Sequence, residues 1–221
     1  MGNGGVNDRS GELWTPEPIF SGLTVFCLAS GPSLTQAIAD RIKGQPAIVC
    51  NSSCELAPWA RVLFCMDNGW FAANRDTVAN WPGHVITLSR AAKRELPDKV
   101  KRVRAVGDPM LPPVFMRKGE IQQGRSTGHT AVSLAIATGA ARVVLVGYDM
   151  RLIEGREHHH RHYAGRPRDL EIYARDFVPA FNGWAAAAKS VGVDVLNATP
   201  NSAITEFPFV ELDEVLSCNP S

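Results

Sequence analysis

The chain of 221 residues contains no apolar run near the 18 or so residues that cross a bilayer, and its opening stretch MGNGGVNDRSGELW is too polar for a secretory leader. No membrane span is expected, and the chain reads as cytoplasmic. Charge of one sign is also missing, since 23 basic and 22 acidic residues leave a formal net charge of +1. Nucleic-acid affinity rests on neutralising many phosphates, so a dedicated nucleic-acid surface is disfavoured. Cysteine is sparse and odd in number: of five, Cys27, Cys50 and Cys65 fall inside apolar runs, where a thiol packs as a small hydrophobe. Reduced, structural thiols are expected. Cys50 and Cys54 are four apart with no second cysteine pair, which gives a zinc ribbon little support. The 19 glycines and 15 prolines fall short of low-complexity composition. No Walker A loop, G-x-G-x-x-G or H-E-x-x-H is present, which argues against P-loop, nicotinamide and zincin readings.

What is present is a globular chain, 45% hydrophobic, long enough to bury roughly 70% of its unfolded surface. Residues 1–20 are polar and carry Pro16 and Pro18, the pattern of an N-terminal arm. From residue 21 to 221 a single domain is expected. Continuous apolar runs at Leu23–Ala29, Ala47–Cys50, Val62–Met66, His84–Leu88, Ala141–Val146 and Val193–Asn197 predict strands, and Lys99–Val106 predicts a further strand or a loop. Helices are expected over Leu34–Ile42, Thr127–Thr138, around Phe181–Ser190 and near Glu211–Leu216. Residues 107–125, with Pro109, Pro112 and Pro113, form a candidate lid, and 151–168 a His-rich loop. Strands alternating with helices, and buried on both faces, define an α/β fold: an open, doubly wound, mostly parallel sheet with helices on both faces and a lid-like excursion.

In such sheets ligands bind beyond the carboxyl ends of the strands, at a topological switch point. That rule selects the residues that follow each run. Gly31, Pro32 and Ser33 after the first strand offer a close backbone approach, a hydroxyl and a helix start suited to phosphate, or else an ordinary turn and N-cap. Asn51 and Asp67 each end a strand with a short polar group that could fix a ribose or base, or cap a turn. Ser126, Thr127 and Gly128 open a helix of small residues whose N–H groups could hold a phosphate or sugar carboxylate, or which packs closely on the sheet. Four histidines within five positions, His158, His159, His160 and His162, are hard to account for as core. A loop imidazole near neutrality can take a proton from an acceptor hydroxyl. A solvated loop and a metal site with Asp149 are the competing readings. The five tryptophans are scattered and receive no role.

In combination, Gly31-Pro32-Ser33-Leu34, Asn51, Ser126-Thr127-Gly128, the segment ARVVLVGYDM and the ending NATPNSAI resemble bacterial CMP-sialic acid-dependent sialyltransferases. The chain is also similar to the motility accessory factor and archaeal 6-hydroxymethylpterin diphosphokinase-like group, small prophage-borne members included. The resemblance spans about residues 23 to 216 and implies a modified Rossmann-like domain. It places Gly31, Pro32 and Ser33 beneath a nucleotide phosphate, Asn51 against the nucleotide, Ser126–Gly128 at the donor and Asp149 at the ribose or base. The family's metal-independent, inverting displacement uses a histidine base, a role that His158 or His160 could take. Where those enzymes carry a tyrosine two residues after the aspartate this chain has Arg151, a potential bidentate phosphate clamp.

The expected activity is transfer of a sugar from a CMP-type nucleotide-sugar donor to an unknown acceptor, with no cofactor or metal required. An ATP-dependent diphosphokinase, which would need Mg²⁺ with Asp67 and Asp149 as carboxylates, is the alternative, and a non-catalytic nucleotide-binding module is a third reading. A homo-oligomer is left open.

Overall fold

A computed structural model describes residues 13–109, 111, 121–160 and 171–218. In chain order the elements are β1 (Thr24–Leu28), α1 (Gln36–Ile42), β2 (Ala47–Cys50), a 3-10 turn (Asn51–Glu55), β3 (Val62–Cys65), α2 (Asn68–Ala73), α3 (Arg75–Ala79) and β4 (His84–Thr87). Then come α4 (Arg90–Glu95), β5 (Val100–Arg102), β6 (Ala105–Val106), β7 (Ile121–Gln122), α5 (Thr127–Ala137) and β8 (Arg142–Val146). The chain closes with a π-helical turn (Tyr173–Phe177), a 3-10 turn (Pro179–Phe181), α6 (Trp184–Ser190), β9 (Asp194–Asn197) and α7 (Leu212–Cys218).

Seven strands form one sheet in the order β5-β4-β3-β2-β1-β8-β9, every neighbouring pair parallel. This is the expected doubly wound, Rossmann-like α/β arrangement. β6 and β7 pair separately, so the stretch Lys99–Val106 supplies an edge strand of the main sheet and half of a small second ladder. β1 is apolar from Val25 to Leu28 because both its faces are covered: Val25 and Cys27 join one core, Phe26 and Leu28 the other. α5 and α6 close the first face through Ala131, Ala135, Trp184 and Ala188. The opposite face is closed by Ile42, Phe71, Ala92 and Val215 from α1, α2, α4 and α7. α5 is buried at every residue from Gly128 to Ala137, which its small side chains permit. Burial pushes the Cys50 and Cys65 thiols up to about 12 and lifts Cys27 well above its ordinary value, which disfavours the thiolate at neutral pH. Among the described residues no helix is long and apolar enough to cross a membrane.

The strand order sets the position of the site. From β1 the chain steps outward strand by strand to β5, then returns to place β8 on the other flank of β1. The switch point therefore lies between the carboxyl ends of β1 and β8. The arm described from residue 13 runs along edge strand β5, where the Trp14 N–H donates to the Arg102 carbonyl at 2.7 Å.

Candidate functional site

A cavity of about 300 Å³ opens at the switch point. Its wall takes Ala29, Ser30 and Gly31 from the end of β1, Cys50 and Asn51 from the end of β2, and Asp67 beyond β3. Ser126, Thr127 and Gly128 come from the start of α5, Gly147–Met150 follow β8, and Glu157 and His158 come from the His-rich loop. Tyr173 and Phe177 complete the wall from the π-helical turn.

The β1–β8 crossing is built on close backbone approach. The Gly31 N–H donates to the Gly147 carbonyl at 2.9 Å. Gly147 itself adopts a left-handed φ of 74°, which glycine accepts without a steric cost. This contact lets Asp149 fold back onto the first loop, where its Oδ2 accepts from the Ser33 hydroxyl at 2.9 Å and the Ser33 N–H at 3.2 Å. Ser33 is thus not the cap of α1. Thr35 is the cap, its side chain accepting from the Ile38 N–H at 3.3 Å. Burial raises the Asp149 carboxyl above the usual carboxylate range, against the Ser33 donors and the nearby Arg151 charge, which pull it down.

Asn51 sits at the tip of β2 with a left-handed φ of 51°, and its amide nitrogen donates to the Thr127 hydroxyl at 3.4 Å. Asp67 caps α2, accepting from the N–H groups of Gly69 at 2.7 Å and Trp70 at 3.1 Å, while also lining the cavity. Ser126 caps α5 by accepting from the His129 N–H at 3.2 Å, so the first N–H groups of an 11-residue helix lie at the cavity wall. Beneath them the buried Tyr148 hydroxyl donates to the Gly128 carbonyl at 2.8 Å. Two oxygens on this wall, Oδ1 of Asn51 and Oδ1 of Asp149, are buried without a hydrogen-bond partner. Such groups are rare in folded proteins because each carries an uncompensated desolvation penalty.

The His-rich loop is docked onto the end of β1. The His159 N–H donates to the Ser30 carbonyl at 3.0 Å, and the ring Nδ1 lies 3.2 Å from the same oxygen. A carbonyl only accepts, so Nδ1 bears the hydrogen. The docking puts His158 at the cavity, and His160 stacks on it at 5.0 Å between ring centroids. His162 and the remainder of the loop, residues 161–168, lie outside the described residues, as do residue 110 and residues 112–120 of the candidate lid.

Of the residues selected from the sequence, Gly31, Asn51, Asp67, Ser126, Thr127, Gly128, Asp149 and His158 meet at this one cavity. Pro32, Ser33, His160 and Arg151 do not line it. Ser33 acts through Asp149. Arg151 is turned outward: Met150 takes a left-handed φ of 49°, and the Arg151 Nε donates to the Asn201 carbonyl at 2.7 Å. Sequence reasoning missed Tyr173 and Phe177, whose rings meet edge to face at 5.6 Å. The four-residue spacing of the two aromatics was the one trace in the sequence, and by itself it does not mark a π-helical turn. Among the described residues, no group of three or more His, Cys, Asp or Glu side chains is gathered to hold a metal ion.

A central parallel sheet with its cleft at the β1–β8 switch point defines a Rossmann-like α/β fold. Among solved structures the chain matches the sialyltransferase CstII from Campylobacter jejuni, determined in complex with a substrate analogue, cytidine-5′-monophosphate. The match has a TM-score of 0.53 and 12% identity, and covers 86% of this chain and 85% of that one. The likeness is one of fold. No family model and no curated protein matches the chain.

Proposed function

We propose that the cavity binds a CMP-type nucleotide-sugar donor and that the protein transfers the sugar to an acceptor hydroxyl. The observation that carries this reading is the pair of unpartnered acceptors, Asn51 Oδ1 and Asp149 Oδ1, beside a ring of backbone N–H groups and hydroxyls at the start of α5. Ribose hydroxyls and a base amino group are donors that can satisfy such oxygens, and a helix N-terminus suits a phosphate. Charge favours a single phosphate over a chain of them, because among the described residues Asp67, Asp149 and Glu157 line the cavity and no Lys or Arg does. The fold shared with a CMP-bound sialyltransferase supports the same assignment.

In the reaction, His158 takes the proton of the acceptor hydroxyl as its oxygen attacks the anomeric carbon. The bond from that carbon to the phosphate oxygen breaks, and the nucleotide leaves with the bonding pair. N–H groups at Ser126–Gly128 face the charge that develops on the phosphate. Arg151, bonded to Asn201, is not assigned the clamping role, and Tyr173, which lines the cavity, is the alternative donor. The carboxylates at Asp67, Asp149 and Glu157 favour one second reading, a nucleotide that brings Mg²⁺ with its phosphates for diphosphoryl transfer.

Calorimetric titration with CMP, CDP, UDP, ADP and ATP, with and without Mg²⁺, separates the two. Selective binding of CMP that persists in EDTA, with transfer from a CMP-sugar lost in His158→Ala, is the expected result. Binding of ATP alone, and only with Mg²⁺, would replace this assignment with the diphosphokinase one.

A further inference from the structure

His129 lies outside the cavity wall, one residue beyond Gly128 on α5. Its ring is fully buried between Phe181 and Trp184, each centroid 4.0 Å away. Its Nδ1 accepts the Arg125 N–H at 3.1 Å, so the proton of the neutral ring resides on Nε2. Nε2 has no hydrogen-bond partner. A phenylalanine or leucine would fill this sandwich without burying an unpaired N–H, so packing does not account for an imidazole here.

We propose that His129 is a positioning residue for the donor site: its Nδ1 pins the Arg125 backbone and thereby sets the turn that presents the N–H groups of Ser126, Thr127 and Gly128 to the cavity. This inference rests on the nucleotide-binding reading of that cavity. The surrounding geometry holds the ring rigidly enough for the task. Gly124 packs on the ring so closely that a Cβ there would stand 2.7 Å from the His129 Cβ. The Gly124 N–H donates to Thr130 Oγ1 at 3.0 Å, and Thr130 Oγ1 donates to the Ser126 carbonyl at 3.2 Å. The segment entering α5 is therefore fastened from both sides, by Thr130 at Gly124 and Ser126 and by His129 at Arg125. Arg125 carries the constraint further, since its guanidinium reaches Asp176 Oδ2 at 3.4 Å on the π-helical turn that brings Tyr173 and Phe177 to the cavity. One hydrogen bond from His129 thus bears on two walls of the site.

Two variants separate positioning from packing. His129→Phe keeps a ring in the sandwich and removes the acceptor; His129→Asn loses the ring and keeps an oxygen acceptor near the place of Nδ1. CMP affinity by calorimetry and the exchange rate of the Arg125 amide by NMR are read for both. The Phe variant should lose roughly five- to tenfold in CMP affinity, the scale of one hydrogen bond, and its Arg125 amide should exchange faster. The Asn variant should recover most of both despite poorer packing. Wild-type CMP affinity in His129→Phe, or equal losses in the two variants, would overturn the proposal. If the wild-type protein binds no CMP, the nucleotide reading fails and takes the ligand half of the proposal with it. The pinning of Arg125 then stands or falls on the exchange rate alone: faster in Phe than in Asn supports it, unchanged in Phe refutes it.

Discussion

Replacing Gly31 by alanine tests the packing on which the site is built. Gly31 does not need a left-handed φ, so the substitution carries no backbone penalty of that kind and isolates the close approach of β1 to β8. An added Cβ would stand 2.9 Å from the Asp149 Cγ and closer still to Asp149 Oδ2 and the Gly147 carbonyl. The Asp149 side chain can swing away, but only by giving up both Ser33 donors. The Gly147 carbonyl cannot swing, because β8 is held in register along all of β1. Overpacking of this kind costs about 1–3 kcal/mol, and the fixed backbone oxygen puts Gly31→Ala at the upper end, about 3 kcal/mol. For a chain of this length each kcal/mol lowers Tm by about 2–4 °C, so a fall of about 6–12 °C is expected by calorimetry or circular dichroism. Adding Asp149→Gly relieves the carboxylate contact and leaves the carbonyl one, so the double variant should lie above the sum of the single losses. A Gly31→Ala protein that melts within 2 °C of wild type would refute the claim that the two strand ends are in contact here.

Two more expectations concern buried titratable groups. Burial lowers the His129 imidazole from 6.5 to about 3, so below pH 6.5 the unfolded chain takes up a proton that the folded chain refuses. Stability should fall progressively from about pH 6.5 toward pH 3, with about 2 kcal/mol lost between pH 7 and pH 5 through this group. Urea denaturation of wild type and His129→Asn across that range checks it, and equal slopes would contradict it. Asp149 presents the opposite sign: burial raises its carboxyl, so ionisation disfavours the folded state as pH rises. Asp149→Asn keeps an oxygen for the Ser33 donors, so at neutral pH it should melt higher than wild type while binding CMP more weakly. A lower Tm in this variant would show that the ionised carboxylate stabilises the fold.

The inner strands were legible because both of their faces are buried, which turns them into uninterrupted apolar runs such as VFCL or VVLV. The short helices between β3 and β4 were not, because six-residue α2 and five-residue α3 are too short to display a period. At the site, Asn51, Asp67, Ser126–Gly128 and Asp149 could be selected from sequence since each directly follows a strand or opens a helix. Tyr173 and Phe177 sit on a π-helical turn, where the backbone departs from the 3.6-residue repeat that pattern reading assumes. Ser33 read as a phosphate-facing hydroxyl or an N-cap because a hydroxyl before a helical stretch ordinarily serves as one of these; a partner 116 residues away claimed it instead.

The amino-acid sequence by itself determined the alternation of strands and helices, the burial of both sheet faces and therefore the edge on which a ligand can bind, because these follow from local periodicity and hydrophobicity. Tertiary structure decided which strand ends meet. Only the return of β8 to the flank of β1 sets Asp149 against Ser33 and Gly31, and only the left-handed turn at Met150 sends Arg151 to Asn201 and away from the cavity. Such pairings depend on crossovers and backbone turns whose energetics are set by contacts far apart in the chain, and no local pattern of residues encodes them.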